Sequence, residues 1–157
     1  MSASLRVGEP APRFSLPADD GSTVSLDALL AKGPVVVFFY PRDETAGCTA
    51  QACAFRDSYE VFQEAGASVV GISSDSVASH RRFRDKHGFP YVLLADEGGR
   101  VRASFGVPRT LGILDGRSTY VIAKDGVVRH VFHSQLRATK HVDEAVAAVR
   151  ALAKSSV

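Results

Sequence analysis

Apolar and polar positions are unevenly distributed along the chain, and the clearest departure from a mixed pattern is the run 35–40, Val-Val-Val-Phe-Phe-Tyr, bounded by Pro34 and Pro41. It has no alternation and is rich in β-branched and aromatic side chains, which predicts a central strand buried on both faces. A second apolar stretch at 67–72 reads the same way. Between them, Ala52, Phe55, Tyr59 and Phe62 recur at helical spacing over 49–65, and Gly66 stops the helix. Ser73, Ser74, Asp75 and Ser76 supply capping residues for a basic helix that runs to His87 and is closed by Gly88 and Pro90.

The remaining chain is punctuated as clearly. Phe14 and Leu16 sit in an extended entry segment, Asp19-Asp20-Gly21 forms a turn, and residues 23–25 complete a hairpin. Ser25 or Asp27 caps a short helix through Leu30, ended by Gly33. A short strand spans 91–95, a turn 96–99, one helical turn 101–105 and a loop 107–116. Segments 118–123 and 127–132 flank Lys124-Asp125-Gly126, a hairpin signal because Asp-Gly tolerates positive φ. Over 140–153, Val142, Ala145, Val146, Val149 and Leu152 share one face of an amphipathic helix.

The order strand, helix, strand, helix, strand, hairpin, helix, joined by right-handed crossovers, predicts an α/β fold: a three-layer sandwich around a mixed central sheet. The 157 residues suit a single domain, 1–157, able to bury roughly two thirds of its unfolded surface. At 45% hydrophobic, 23% charged and a net charge of +2, composition is that of an ordinary globular protein and gives no sign of a nucleic-acid or membrane-surface partner. No stretch reaches the ~18 apolar residues of a spanning helix, and the first residues lack the pattern of a targeting segment. A soluble, cytoplasmic protein in a reducing compartment is the expectation.

Only two cysteines occur, Cys48 and Cys53, both within residues 41–53, PRDETAGCTAQAC, directly after the buried strand. Two cysteines cannot make the framework of a small secreted domain, so their meaning is local. Loops at the carboxyl ends of central strands are where open α/β sheets place their sites. A thiol attacks as thiolate, which an ordinary cysteine populates to about 3% at pH 7. A mostly ionised thiol needs about 3.4 kcal/mol of preference for the charged form. A helix amino terminus supplies about 0.3–1 kcal/mol, so a cation from elsewhere is expected. Arg117, at the start of the strand that would lie beside 35–40, fits best; Arg56 lies too far along the helix. Thr45 offers a hydroxyl that both donates and accepts, Pro41 restricts access, and backbone N–H groups near Gly47 and Cys48 can meet developing negative charge.

Pro41, Thr45 and Cys48 stand in the P-x-x-x-T-x-x-C spacing of peroxiredoxins, and GCTAQACAFRDSY resembles the bacterioferritin comigratory protein or peroxiredoxin Q subfamily. FFYPRD, VVGISSD, LLADE, GRSTYVI and KHVDEAV extend the resemblance over nearly the whole chain. It implies a thioredoxin-like fold and a thiol-dependent peroxidase that uses no cofactor and no metal. Cys48 would be the peroxidatic and Cys53 the resolving cysteine, with Arg117, Thr45 and Pro41 completing the pocket and Gln51 at a position where relatives have Glu, Gln or His. The implied partners are a hydroperoxide, hydrogen peroxide or organic, and a thioredoxin-like reductant, acting on a monomer. Ala46 replaces the usual Pro, which implies a slightly looser loop. In an intact helix the two cysteines would sit about 8.6 Å apart at Cα, beyond the ~7 Å that a disulfide spans, so the helix start is expected to unwind.

The cysteine pair admits two other readings. A thioredoxin-type disulfide oxidoreductase normally carries C-x-x-C, whereas four residues separate these cysteines; a non-enzymatic redox switch would be oxidised once without turnover. His80, His87, His130, His133 and His141 form no metal-ligand spacing and read as solvated or core-edge residues. Arg81, Arg82, Arg84 and Lys86 read as a solvated helix face.

Overall fold

The computed structural model describes residues 4–108 and 116–155. A small hairpin pairs β1 (Ser15–Pro17) with β2 (Thr23–Ser25), and α1 (Leu26–Leu30) follows, capped by Ser25, whose hydroxyl accepts from Ala28 N. The main chain of elements is then β3 (Val35–Phe39), α2 (Ala46–Asp57), α3 (Tyr59–Glu64), β4 (Ser68–Ser73), α4 (Val77–His87), β5 (Val92–Ala95), α5 (Arg100–Phe105), β6 (Ser118–Ile122), β7 (Val128–His133) and α6 (Lys140–Ser155). The sheet order is β5-β4-β3-β6-β7, with β3, β4 and β5 parallel and β6 and β7 antiparallel to their neighbours. This is the mixed sheet the sequence pattern predicts.

The missing alternation in β3 has a direct cause. Val35, Val37 and Phe39 pack on one side with Leu26, Leu30, Val101 and Phe105, from α1 and α5. Val36 and Phe38, with Tyr40 beyond the strand end, pack on the other with Ala52, Phe55, Phe62, Phe83 and Val149, from α2, α3, α4 and α6. A strand with helices on both faces has no polar side, and each fully buried Phe contributes about 1.5–3 kcal/mol. Gly71, opposite Phe38 in β4, leaves room for that ring: a Cβ there would lie 2.7 Å from Phe38 Cζ.

The structure corrects one helix. The periodic stretch 49–65 is two helices, α2 and α3, broken at Ser58, whose ψ of 6° leaves the helical range. Phe55 and Phe62 still reach the same core, their rings 5.8 Å apart, so the apolar spacing runs through a break it does not reveal. The helix also begins at Ala46, which puts Cys48 in its first turn. The basic helix is capped as expected, by Ser76 at its start and by Gly88 with φ 64° at its end. The loop expected over 107–116 falls largely on 109–115, outside the described residues.

Candidate active site

β3 ends at Phe39, and five residues after Tyr40 the chain enters α2 at Thr45. Thr45 occupies the N-cap with extended backbone, but its side chain does not cap the helix; its hydroxyl donates to Arg42 O at 3.0 Å. The first intrahelical bond runs from Thr49 N to Thr45 O, 2.9 Å. The first turn holds no acidic residue. Its leading N–H groups, together with the positive end of the helix dipole, therefore suit a negative charge at this point. Cys48 lies there, 1% exposed, against Val36, Phe38 and Tyr40 of the sheet. Pro41 is half-buried between strand and loop. Glu44 takes φ 61°, a left-handed turn that redirects the chain into the helix.

Arg117 reaches this helix start from the neighbouring strand. Ser118 pairs with Phe39 across β3 and β6, so the residue preceding β6 lies beside the end of β3. The buried Arg117 donates from Nη1 to Gln51 Oε1 and from Nε to Gln135 O at 3.3 Å. Its Nη2 lies 3.1 Å from where a Cβ on Gly47 would stand, so glycine leaves the guanidinium room at the first turn of α2. Gln51 is three residues beyond Cys48 and hence on the same side of the helix. It is fully buried, and its Nε2 has no hydrogen-bond partner among the described residues. The geometry thus gathers Cys48, Gln51 and Arg117, with Thr45 and Pro41 in the approach loop. Cys53, one and a half turns on, is a free, half-buried thiol in the same helix.

Two polar devices behind this site are not visible as motifs. Arg102, 5% exposed, donates from Nη1 to Gly116 O and from Nη2 to Tyr40 O, both at 2.7 Å, with its guanidinium 5.6 Å from the Phe39 ring centre. Those carbonyls immediately precede Arg117 and Pro41, so one buried side chain ties the two halves of the site together. Asp96 fixes the start of α5 by accepting from Val101 N and Arg102 N at 3.1 and 2.9 Å.

The second device holds the loop to α4. Asp43 accepts from Tyr40 Oη at 2.6 Å and from Ser79 Oγ at 2.8 Å, and its Oδ2 lies 2.7 Å from His80 Nδ1. The far nitrogen of His80 donates to Leu94 O at 3.0 Å, and Asp43 N donates to Asp75 Oδ2 at 2.9 Å. Burial first, then the charge of Asp43, hold the Tyr40 phenol well above its ordinary range, so it stays a donor. Asp43, Asp75 and His80 cluster closely enough to suggest metal ligands, but their ligand atoms are engaged in these hydrogen bonds.

The histidines also depart from the sequence reading. His80 and His141 are fully buried, because each ring nitrogen has a partner. His141 Nε2 donates to Ser134 O and Nδ1 accepts from Thr119 Oγ1, both at 2.8 Å; a carbonyl can only accept, which fixes the tautomer. Of the basic face of α4, Arg84 is drawn inward to the buried carboxylate of Asp19 at 3.2 Å.

Residues 7–131 match the model of the AhpC/TSA family. The chain is 52% identical over 151 residues to a chloroplastic peroxiredoxin Q of Suaeda salsa, covering 96% of this chain and 70% of that protein. The chain belongs to this family. It is a peroxiredoxin of the Q, or bacterioferritin comigratory protein, type, and so a thiol-dependent peroxidase. A crystal structure of the peroxidoxin BcpB from Mycobacterium tuberculosis superposes with TM-score 0.87 at 42% identity, over 94% of this chain and 98% of that one. The bacterioferritin comigratory protein of Xanthomonas campestris, in a study of its alkyl peroxide reduction, superposes with TM-score 0.83 at 31% identity, over 97% and 99%. Its peroxiredoxin fold is the thioredoxin-like sandwich that the strand order describes. The first turn of α2 brings together the buried thiol of Cys48, the guanidinium of Arg117 beside Gly47 and the leading backbone N–H groups of the helix.

Proposed function

We propose that Cys48 is the peroxidatic cysteine, Cys53 its resolving partner, and Arg117, Thr45, Gln51 and Pro41 the pocket that binds the hydroperoxide. The observation that carries this reading is the guanidinium of Arg117, seated over Gly47 at the first turn of α2 and hydrogen-bonded to Gln51. The Cys48 thiolate attacks the terminal peroxide oxygen and the O–O bond breaks. Water or an alcohol leaves with a proton, and Cys48 becomes a sulfenic acid. Arg117 and the amides of the first turn receive the negative charge that develops on the leaving oxygen. Cys53 then condenses with the sulfenic acid, releasing water, and a thioredoxin-like dithiol reduces the disulfide. The enzyme works as a single-domain monomer in the reducing cytoplasm.

Steady-state consumption of hydrogen peroxide and of an alkyl hydroperoxide, with thioredoxin, its reductase and NADPH, tests the cycle. Turnover with thioredoxin is expected, and Cys48→Ser abolishes it. Peroxide-dependent turnover in the Cys48→Ser protein would refute the assignment.

A further inference from the structure

We propose that His87 is the catalytic base of the resolving step: it takes the proton from Cys53 as that thiol attacks the oxidised Cys48. This rests on the proposed assignment of Cys53 as the resolving cysteine. His87 Nδ1 lies 3.9 Å from Cys53 Sγ, within reach of a sulfur hydrogen bond, and both residues are half-buried. The imidazole is held in place from two sides. Its ring stacks on Phe89 at 5.5 Å and meets the edge of Phe83 at 5.3 Å, and its backbone carbonyl accepts from Arg56 Nη1 at 2.7 Å.

The two cysteines differ in how firmly they are fixed. Around Cys53, Ala52 O accepts from the buried Tyr91 hydroxyl at 2.6 Å, Arg56 ties α2 to the end of α4, and Phe55 stacks on Phe38 at 4.4 Å. Ahead of Cys48, Ala46 and Gly47 are exposed, and the side chain of the N-cap Thr45 does not cap the helix. When the helix start opens, Cys48 travels and Cys53 stays beside His87. The charged groups facing this pair are Arg56 and Asp57 from α2, with the neutral phenol of Tyr91 beside them. On α4 itself, Arg84 is engaged with Asp19 and Lys86 with Glu44.

The step balances without a further reagent. Nδ1 accepts the Cys53 proton, the thiolate pair forms the S–S bond to Cys48, the S–O bond breaks, and hydroxide departs as water with the proton from the imidazolium. The sulfenic acid is the oxidant. His87 Nδ1 is the hydrogen-bond partner that the described residues give the half-buried Cys53 thiol, and a side chain placed at that distance is positioned to take the proton as the sulfur attacks.

The test separates this role from the cysteine assignment. In Cys48→Ser protein, where Cys53 is the sole thiol, its alkylation by iodoacetamide at pH 7 is expected to slow about tenfold on adding His87→Asn. In protein with both cysteines, His87→Asn is expected to slow disulfide formation about tenfold relative to sulfenic acid formation in the same quenched samples, so that the sulfenic acid accumulates. His87→Ala should behave likewise and regain rate on addition of free imidazole. Alkylation and disulfide formation at the parent rates in both variants would overturn the role of His87. Absence of any Cys48–Cys53 disulfide in the parent protein would instead overturn the resolving role of Cys53.

Discussion

The residue that most constrains the site is one that touches no sulfur. Arg102 bonds the carbonyls ahead of Pro41 and ahead of Arg117, so it sets the distance between the thiol loop and the guanidinium. Arg102→Leu keeps the contact with Phe39 but leaves both carbonyls without that donor, at about 1.5–3 kcal/mol for bonds to a charged group. The expected outcome is a ten- to hundred-fold fall in the rate of Cys48 oxidation, read by stopped-flow competition with a second peroxidase, with kcat/KM for peroxide affected more than thermal stability. At this scale the sequence was informative where chemistry forces a residue type at a fixed spacing. Cys48, Thr45 and Pro41 lie within one short stretch, and the place of Arg117 beside the start of α2 could be expected from the strand it precedes, which pairs with β3. Arg102, Asp43 and His80 were not legible, since a buried charge looks like any surface charge until its partners, 62 and 37 residues away, are brought alongside.

At the scale of elements, α2 combines two halves of unequal stability. Its later turns are pinned by Phe55, Tyr91 and Arg56, whereas the first turn rests on backbone bonds and on a loop with Glu44 in a left-handed conformation. Opening that turn is the motion a Cys48–Cys53 disulfide requires, because an intact helix holds the two Cα atoms about 8.6 Å apart. Hydrogen exchange should therefore show amides 49–52 losing protection in the oxidised protein by about two orders of magnitude or more, while 54–57 change little. Equal protection in both redox states would mean that the helix does not open. The sequence showed that a helix begins near Cys48, since the helical spacing of Ala52, Phe55, Tyr59 and Phe62 sets in there. It concealed the break at Ser58, because the periodicity of Phe55 and Phe62 is preserved across it.

For the whole molecule, the two-sided core fixes the architecture and a few buried polar groups fix its response to pH. Burial, reinforced by Arg117 and His133 and opposed by Ser134 O and Glu144, brings His141 down to about 4 from its ordinary 6.5. The folded protein thus keeps His141 neutral where the unfolded chain protonates it. Its contribution to stability is whole above pH 6.5 and is lost as the pH falls towards 4, about 3 kcal/mol in all. Urea unfolding at pH 7.5 and 4.5 should show a loss on acidification that is smaller in His141→Gln by about that amount. The layers and the mixed sheet were legible because short β-branched and aromatic runs without alternation read as central strands; the inward turn of the histidines was not, because burial of a polar ring depends on partners that only the fold supplies. The central claim, that Cys48 takes the peroxide oxygen and Cys53 removes it, is tested most directly by intact mass after one equivalent of hydrogen peroxide. The parent protein should lose two hydrogens, and Cys53→Ser should gain one oxygen at Cys48. An oxygen retained by the parent protein, or an unmodified Cys48 in the variant, would contradict it.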